Sequence, residues 1–168
     1  MSPATRRVAG TVAALFLATL AQAVFASPLQ VAGARPDFLL CVALILSLFT
    51  HVNGAATTGF FAGLLHASLA APPAGGFGSL IVSRMLVCAL VGWLEERLYR
   101  DHLLSALMLV ITGTALAELL YFVIAPHPNI PHWARHMGMT ALYNGALSPL
   151  LYPAVRRLIG AHRTRDMF

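Results

Sequence analysis

Six long apolar stretches occupy nearly all of this 168-residue chain, and its charged residues fall mostly in the gaps between them. A bilayer core is about 30 Å thick, so a helix needs about 20 mostly apolar residues to cross it. The stretches 8–26, 37–52, 54–71, 77–94, 103–125 and 137–159 approach that length. With 58% hydrophobic and 10% charged residues, little is left over for a soluble domain. The expected fold is therefore all-α: a polytopic membrane protein, a compact bundle of six transmembrane helices forming one transmembrane domain over residues 1–168.

Orientation follows from the basic residues, all 11 of which are Arg. With the N-terminus in the cytoplasm, Arg6, Arg7, Arg97, Arg100, Arg156, Arg157, Arg163 and Arg165 fall inside. Arg35 and Arg135 fall outside, and Arg84 lies within a span. Basic residues accumulate on the cytoplasmic side of short loops, so both termini are expected there. The net charge of +5 then reflects topology and attraction to anionic lipid, not nucleic-acid binding. Trp93, Tyr99 and Trp133 suit interfacial positions. Arg6-Arg7 before an apolar run resembles a signal peptide, but the run is longer than the roughly 7–15 residues of a signal core, so it is expected to be retained as a span. Cys41 and Cys88 both lie within spans, as small buried apolar groups, and suggest no disulfide framework.

Small and polar residues inside the spans carry the next level of information. Gly59 and Gly63 form a GxxxG step, extended by Ala55, His66 and Ala70 on one helix face. Small residues let helix backbones approach closely in lipid, either within the bundle or against a partner. Arg84, Glu118, Asn144 and His66 lie on four different spans, at a depth of about 10 Å from the outer ends. An unpaired charge in hydrocarbon is expensive and should face the bundle. An Arg84–Glu118 ion pair is expected, with His66 and Asn144 as hydrogen-bonding neighbours. Three roles for this layer stand side by side: a clasp that fixes packing, a partner or ligand site, and an ion path. The inner half lacks the further ionisable groups an ion path needs.

Catalytic and metal-binding patterns are weak. Ser79 follows a glycine run that reads as a turn, and serine catalysis needs a base and oxyanion donors around the hydroxyl. His127, His132 and His136 lie among prolines in an outer loop, with no zinc-site spacing. The segment from Glu95 to His102 reads as a solvated cytoplasmic turn. No metal, cofactor or catalytic residue is expected.

One element is more specific. Gly33-Ala34-Arg35-Pro36-Asp37-Phe38-Leu39-Leu40, entering the second span, resembles the rod shape-determining protein MreD family. In order along the chain, Thr58 to Leu65 resembles that family's Gly-rich third span, and Gly92 to Leu98 its basic inner loop. Glu118-Leu119-Leu120 resembles its acidic fifth span, and Tyr152 to Leu158 its basic ending. His66 departs from the family, which often has Asp there; imidazole donates where a carboxylate accepts. On the topology above, Arg35, Pro36 and Asp37 of this motif sit at the outer surface, either capping the second span or touching a partner.

The resemblance implies a non-enzymatic inner-membrane subunit of the bacterial elongation complex, which organises lateral peptidoglycan synthesis. Its implied partners are an MreC-like protein, a RodA-like glycosyltransferase, a class-B transpeptidase and, indirectly, the MreB filament, besides membrane lipids. The same six-helix fold is thought to serve substrate-binding subunits of energy-coupling-factor vitamin transporters. That is the alternative: a small-molecule binder with an outward pocket at the polar layer, walled by Tyr121, Phe122 and Tyr143.

Overall fold

The computed structural model describes residues 3–31, 33–70, 76–94, 103–126 and 128–160. Six helices account for most of them: α1 (Pro3–Phe25), α2 (Phe38–Ser47), α3 (Val52–Ala70), α4 (Gly76–Leu94), α5 (Leu103–Ile124) and α6 (Ile130–Leu158). Three of these, over Thr5–Phe25, Gly76–Leu94 and Leu103–Ile124, are long and apolar enough to cross a membrane. Residues 71–75, leading into the glycine run read as a turn before Ser79, the 95–102 connection, His127, Arg163 and Arg165 lie outside the described residues.

The second element departs most from expectation. A span over 37–52 was expected; α2 has only 10 residues, about 15 Å of helix. Every one of the ten is buried. The helix packs against α1, α3, α4, α5 and α6. A segment covered by protein on all sides meets no lipid, so the length rule for a lipid-facing helix does not constrain it. Its end tightens through bonds from Leu48 to Ile45 and from Phe49 to Leu46, spaced three residues apart. Along α2, Leu39, Leu40, Leu44, Ile45 and Leu46 form the centre of the apolar core.

Glycine sets the spacing between α3 and α4. A Cβ on Gly59 would lie 2.6 Å from the Arg84 carbonyl oxygen, and one on Gly63 would lie 2.7 Å from the Ile81 Cα. From the other side, a Cβ on Gly92 would meet the Ala55 Cβ at 2.6 Å. The two backbones are in direct contact, with the GxxxG face turned to α4 within this chain. This contact fixes the height of Arg84 relative to α3.

The sixth helix starts seven residues before the expected span at 137. Asn129 caps it, its side chain accepting from the His132 N–H at 3.1 Å, and Pro131 occupies the first turn, where its missing N–H costs nothing. The segment that reads as a histidine-bearing loop is thus partly helical. Pro149 and Pro153 lie inside α6. Pro149 cannot donate to the Gly145 carbonyl four residues back, and the Ser148 hydroxyl donates to it instead at 2.8 Å. Arg156 and Arg157 in the last turn complement the helix dipole. Gly160, at φ 65°, then leaves the helix in the left-handed region.

Candidate functional site: a buried polar junction

The junction is built around the start of α2. The chain reaches it through a tight turn closed by reciprocal bonds between Val31 and Ala34, with Gly33 at φ 86°. Arg35 is exposed, its Nε–H donating to Gln30 Oε1 at 3.0 Å, whereas Pro36 and Asp37 are buried. The three residues of the motif therefore part company: only Arg35 stays at a surface, and Asp37 turns inward as the cap of α2.

A buried helix N-terminus needs acceptors for its free N–H groups. Asp37 Oδ1 accepts from the Leu40 N–H at 2.9 Å. Asn144 Oδ1, from α6, accepts from the Asp37 N–H at 2.9 Å. Gln22, from α1, holds the chain on both sides of Asp37: its Oε1 accepts from the Phe38 N–H at 2.8 Å, and its Nε2 donates to the Pro36 carbonyl at 3.2 Å. Asn144 also donates to Thr114 Oγ1 on α5 at 3.2 Å, and its carbonyl receives Cys41 Sγ at 3.4 Å.

The other carboxylate oxygen of Asp37 gathers the charges. Arg84 Nη2 donates to Oδ2 at 2.6 Å, and His66 Nδ1 lies 3.1 Å from the same atom. A carboxylate only accepts, so the second contact assigns the ring proton to Nδ1. The 3.2 Å approach of Arg84 Nη2 to that nitrogen is then a meeting of two donors on one oxygen. Glu118 stands further off, its Oε1 3.8 Å from Arg84 Nη2. The ion-pair expectation thus finds Arg84 and Glu118 close, but the hydrogen-bonded partner of Arg84 is Asp37. His66 and Asn144 both join through Asp37. The departure at His66 acquires a use, because a donor at that position complements the aspartate.

Sequence reading overlooked Gln22 and Thr114. Gln22 is the amide within the first apolar stretch, three residues from its helix end, which is a readable signal. Thr114 carries none, since hydroxyls often bond their own helix, as Thr112 does to Met108. Among the described residues no group of three His, Cys, Asp or Glu side chains is placed to hold a metal ion.

Two adjoining cavities flank the junction. The larger, about 450 Å³, is lined by Asp37, Arg84, Glu118 and Thr140 and, among exposed residues, by Ser27, Arg35 and Leu69. The smaller, about 380 Å³, lies beside Trp133 and His132. Glu118, Tyr121 and His136 line both.

An apolar bundle that seals a carboxylate–guanidinium pair at its centre, with three helices fit to cross a bilayer, belongs to the class of helical membrane proteins. The family model described as rod shape-determining protein MreD matches residues 6–161. The chain belongs to this family, and is accordingly a membrane protein that determines cell shape. No curated protein and no solved structure matches it.

Proposed function

We propose that this protein is a non-enzymatic, multi-pass subunit of the bacterial elongation complex in the cytoplasmic membrane. All six helices lie within the bilayer, as one transmembrane domain with both termini cytoplasmic; α2 is enclosed by the other five. Through an MreC-like protein it serves a RodA-like glycosyltransferase and a class-B transpeptidase, with the MreB filament as an indirect associate. The observation that carries this reading is the junction. Gln22, Asp37, His66, Arg84, Thr114 and Asn144 come from six successive elements, and their hydrogen bonds run to one another or to the start of α2, that of His66 to Asp37. Such a network fixes one arrangement of helices and leaves the outward faces for lipid and partner proteins. Arg35, exposed beside the buried cap, is the part of the family motif available to a partner.

Depletion in a rod-shaped host tests the role directly. Cells are expected to round up, and recover with the wild-type chain; cells that keep their shape refute it. The cavity of about 450 Å³ favours a second reading, the substrate-binding subunit of a vitamin transporter. Protein purified with a bound vitamin would establish that reading instead.

A further inference from the structure

Arg84 holds a guanidinium inside the bundle that is 1% exposed. Its Nη2 is committed to Asp37 at 2.6 Å, whereas Nε and Nη1 meet no acceptor in the protein. Among the described residues, the other buried side-chain nitrogens and oxygens in this condition are Thr140 Oγ1 and Trp133 Nε1. Buried polar groups are nearly always paired, so their location is informative. Arg84 and Thr140, which is 3% exposed, line the larger cavity, and Trp133 lines the smaller one. The nitrogens can only donate, and the hydroxyl is able to. What all of them lack is an acceptor.

The charge around the larger cavity is already balanced. Arg35 and Arg84 match Asp37 and Glu118 one for one, and His66 and His136 add nothing negative. A second cation would meet donors and no spare counter-charge. An anion would face two fixed carboxylates. An uncharged acceptor incurs neither penalty. Glu118 Oε1 stands 3.8 Å from Arg84 Nη2, beyond a hydrogen bond, and is left to accept from an N–H. An acceptor and an N–H side by side on an uncharged group describe an amide.

We propose that the larger cavity binds the carboxamide of a free, uncharged solute. The carbonyl oxygen accepts from Arg84 and the Thr140 hydroxyl, the amide N–H donates to Glu118, and Leu80 and Tyr121 bound the apolar remainder. A longer solute reaches the Trp133 indole N–H with a second acceptor, past the Glu118 and Tyr121 that both cavities share. At about 450 Å³ the space is of the size that small-molecule sites use. The assignment rests on the cavity and not on the elongation role. Its test reads binding and not cell shape, so the two stand or fall separately.

Three probes share a ring and a planar head: benzamide is uncharged with an acceptor and N–H donors, benzoate is an anion that only accepts, and benzamidinium is a cation that only donates. Saturation-transfer NMR on the full chain purified in detergent, with empty micelles subtracted, gives the affinity of each. Benzamide is expected to bind at least about tenfold more tightly than either ion. Thr140→Val, similar in shape and without effect on charge, is expected to weaken benzamide by about fivefold. Glu118→Gln leaves one positive charge in excess, and is expected to raise the affinity of benzoate relative to benzamide by at least about tenfold. Unfolding temperatures confirm that each variant is folded. Either ion binding as well as benzamide, or Thr140→Val binding benzamide as the wild type does, overturns the proposal. So does the absence of binding by any probe, which leaves the Arg84 donors to water. Occupancy by a partner is read at Ser27→Cys, on the cavity wall, with Cys41→Ser and Cys88→Ser removing the native thiols. A maleimide is expected to react there equally fast in washed membranes and in detergent, and more slowly with benzamide in both. Protection in membranes that disappears on solubilisation assigns the cavity to a partner protein and overturns the free solute.

Discussion

Replacing Asp37 by Asn separates the two carboxylates near Arg84. The substituted amide retains an oxygen to accept from the Leu40 N–H, and amides cap helices about as well as carboxylates, so the start of α2 survives. What is lost is the negative charge 2.6 Å from a guanidinium that is 1% exposed. Removing one partner of a buried pair costs about 3–5 kcal/mol, because the other charge is left uncompensated. The remaining carboxylate at 3.8 Å offsets only part of this. For a chain of this length, that loss lowers the unfolding temperature by about 6–20 °C. Glu118→Gln removes a longer contact from a side chain that is 13% exposed, and is expected to cost about 1 kcal/mol. Asp37→Ala adds the lost cap, about 1 kcal/mol beyond Asp37→Asn. Thermal unfolding of the purified variants gives the order: Asp37→Ala worst, then Asp37→Asn, with Glu118→Gln well behind. If Glu118→Gln proves as damaging as Asp37→Asn, Arg84 is held by Glu118 and the account of the junction fails.

Gly59→Ala is expected to cost about 1–3 kcal/mol, because its Cβ meets backbone at 2.6 Å, whereas Gly78→Ala enters open space and is expected to be neutral or slightly stabilising; unfolding curves for the pair decide. Asn144→Ala strands the buried Asp37 N–H and the Thr114 hydroxyl, a loss of about 1–3 kcal/mol, with slower amide exchange at wild-type Asp37 as the local readout. A C-terminal reporter that is active only in the cytoplasm is expected to stay active, and its loss there refutes the proposed topology.

Charges and polar groups inside apolar runs announce themselves, which is why depth along the sequence alone groups Arg84, Glu118, His66 and Asn144. Asp37 escaped that grouping because depth was counted from a common outer level for every span. In the structure, α2 starts inside the bundle, where the side chain of Arg84, eight residues into α4, reaches its cap. The shortness of the 37–52 stretch was the available sign. The start of α6 was misjudged because His132, Trp133, Arg135 and His136 look like loop composition. Asn129 and Pro131 nevertheless carry the pattern of a helix start. Of the pocket expected at the polar layer, Tyr121 lines both cavities whereas Phe122 and Tyr143 line neither, since the shape of a gap between helices depends on side chains from distant positions failing to meet.

The wholly enclosed α2 has a consequence for biogenesis. At about 15 Å it is half the thickness of a bilayer core, so partition into lipid alone cannot hold it in place. The acceptor for the Asp37 N–H is 107 residues downstream, on α6. A nascent chain therefore carries an unfinished second segment until Asn144 has been made, and truncation before that residue leaves the molecule unable to close upon itself.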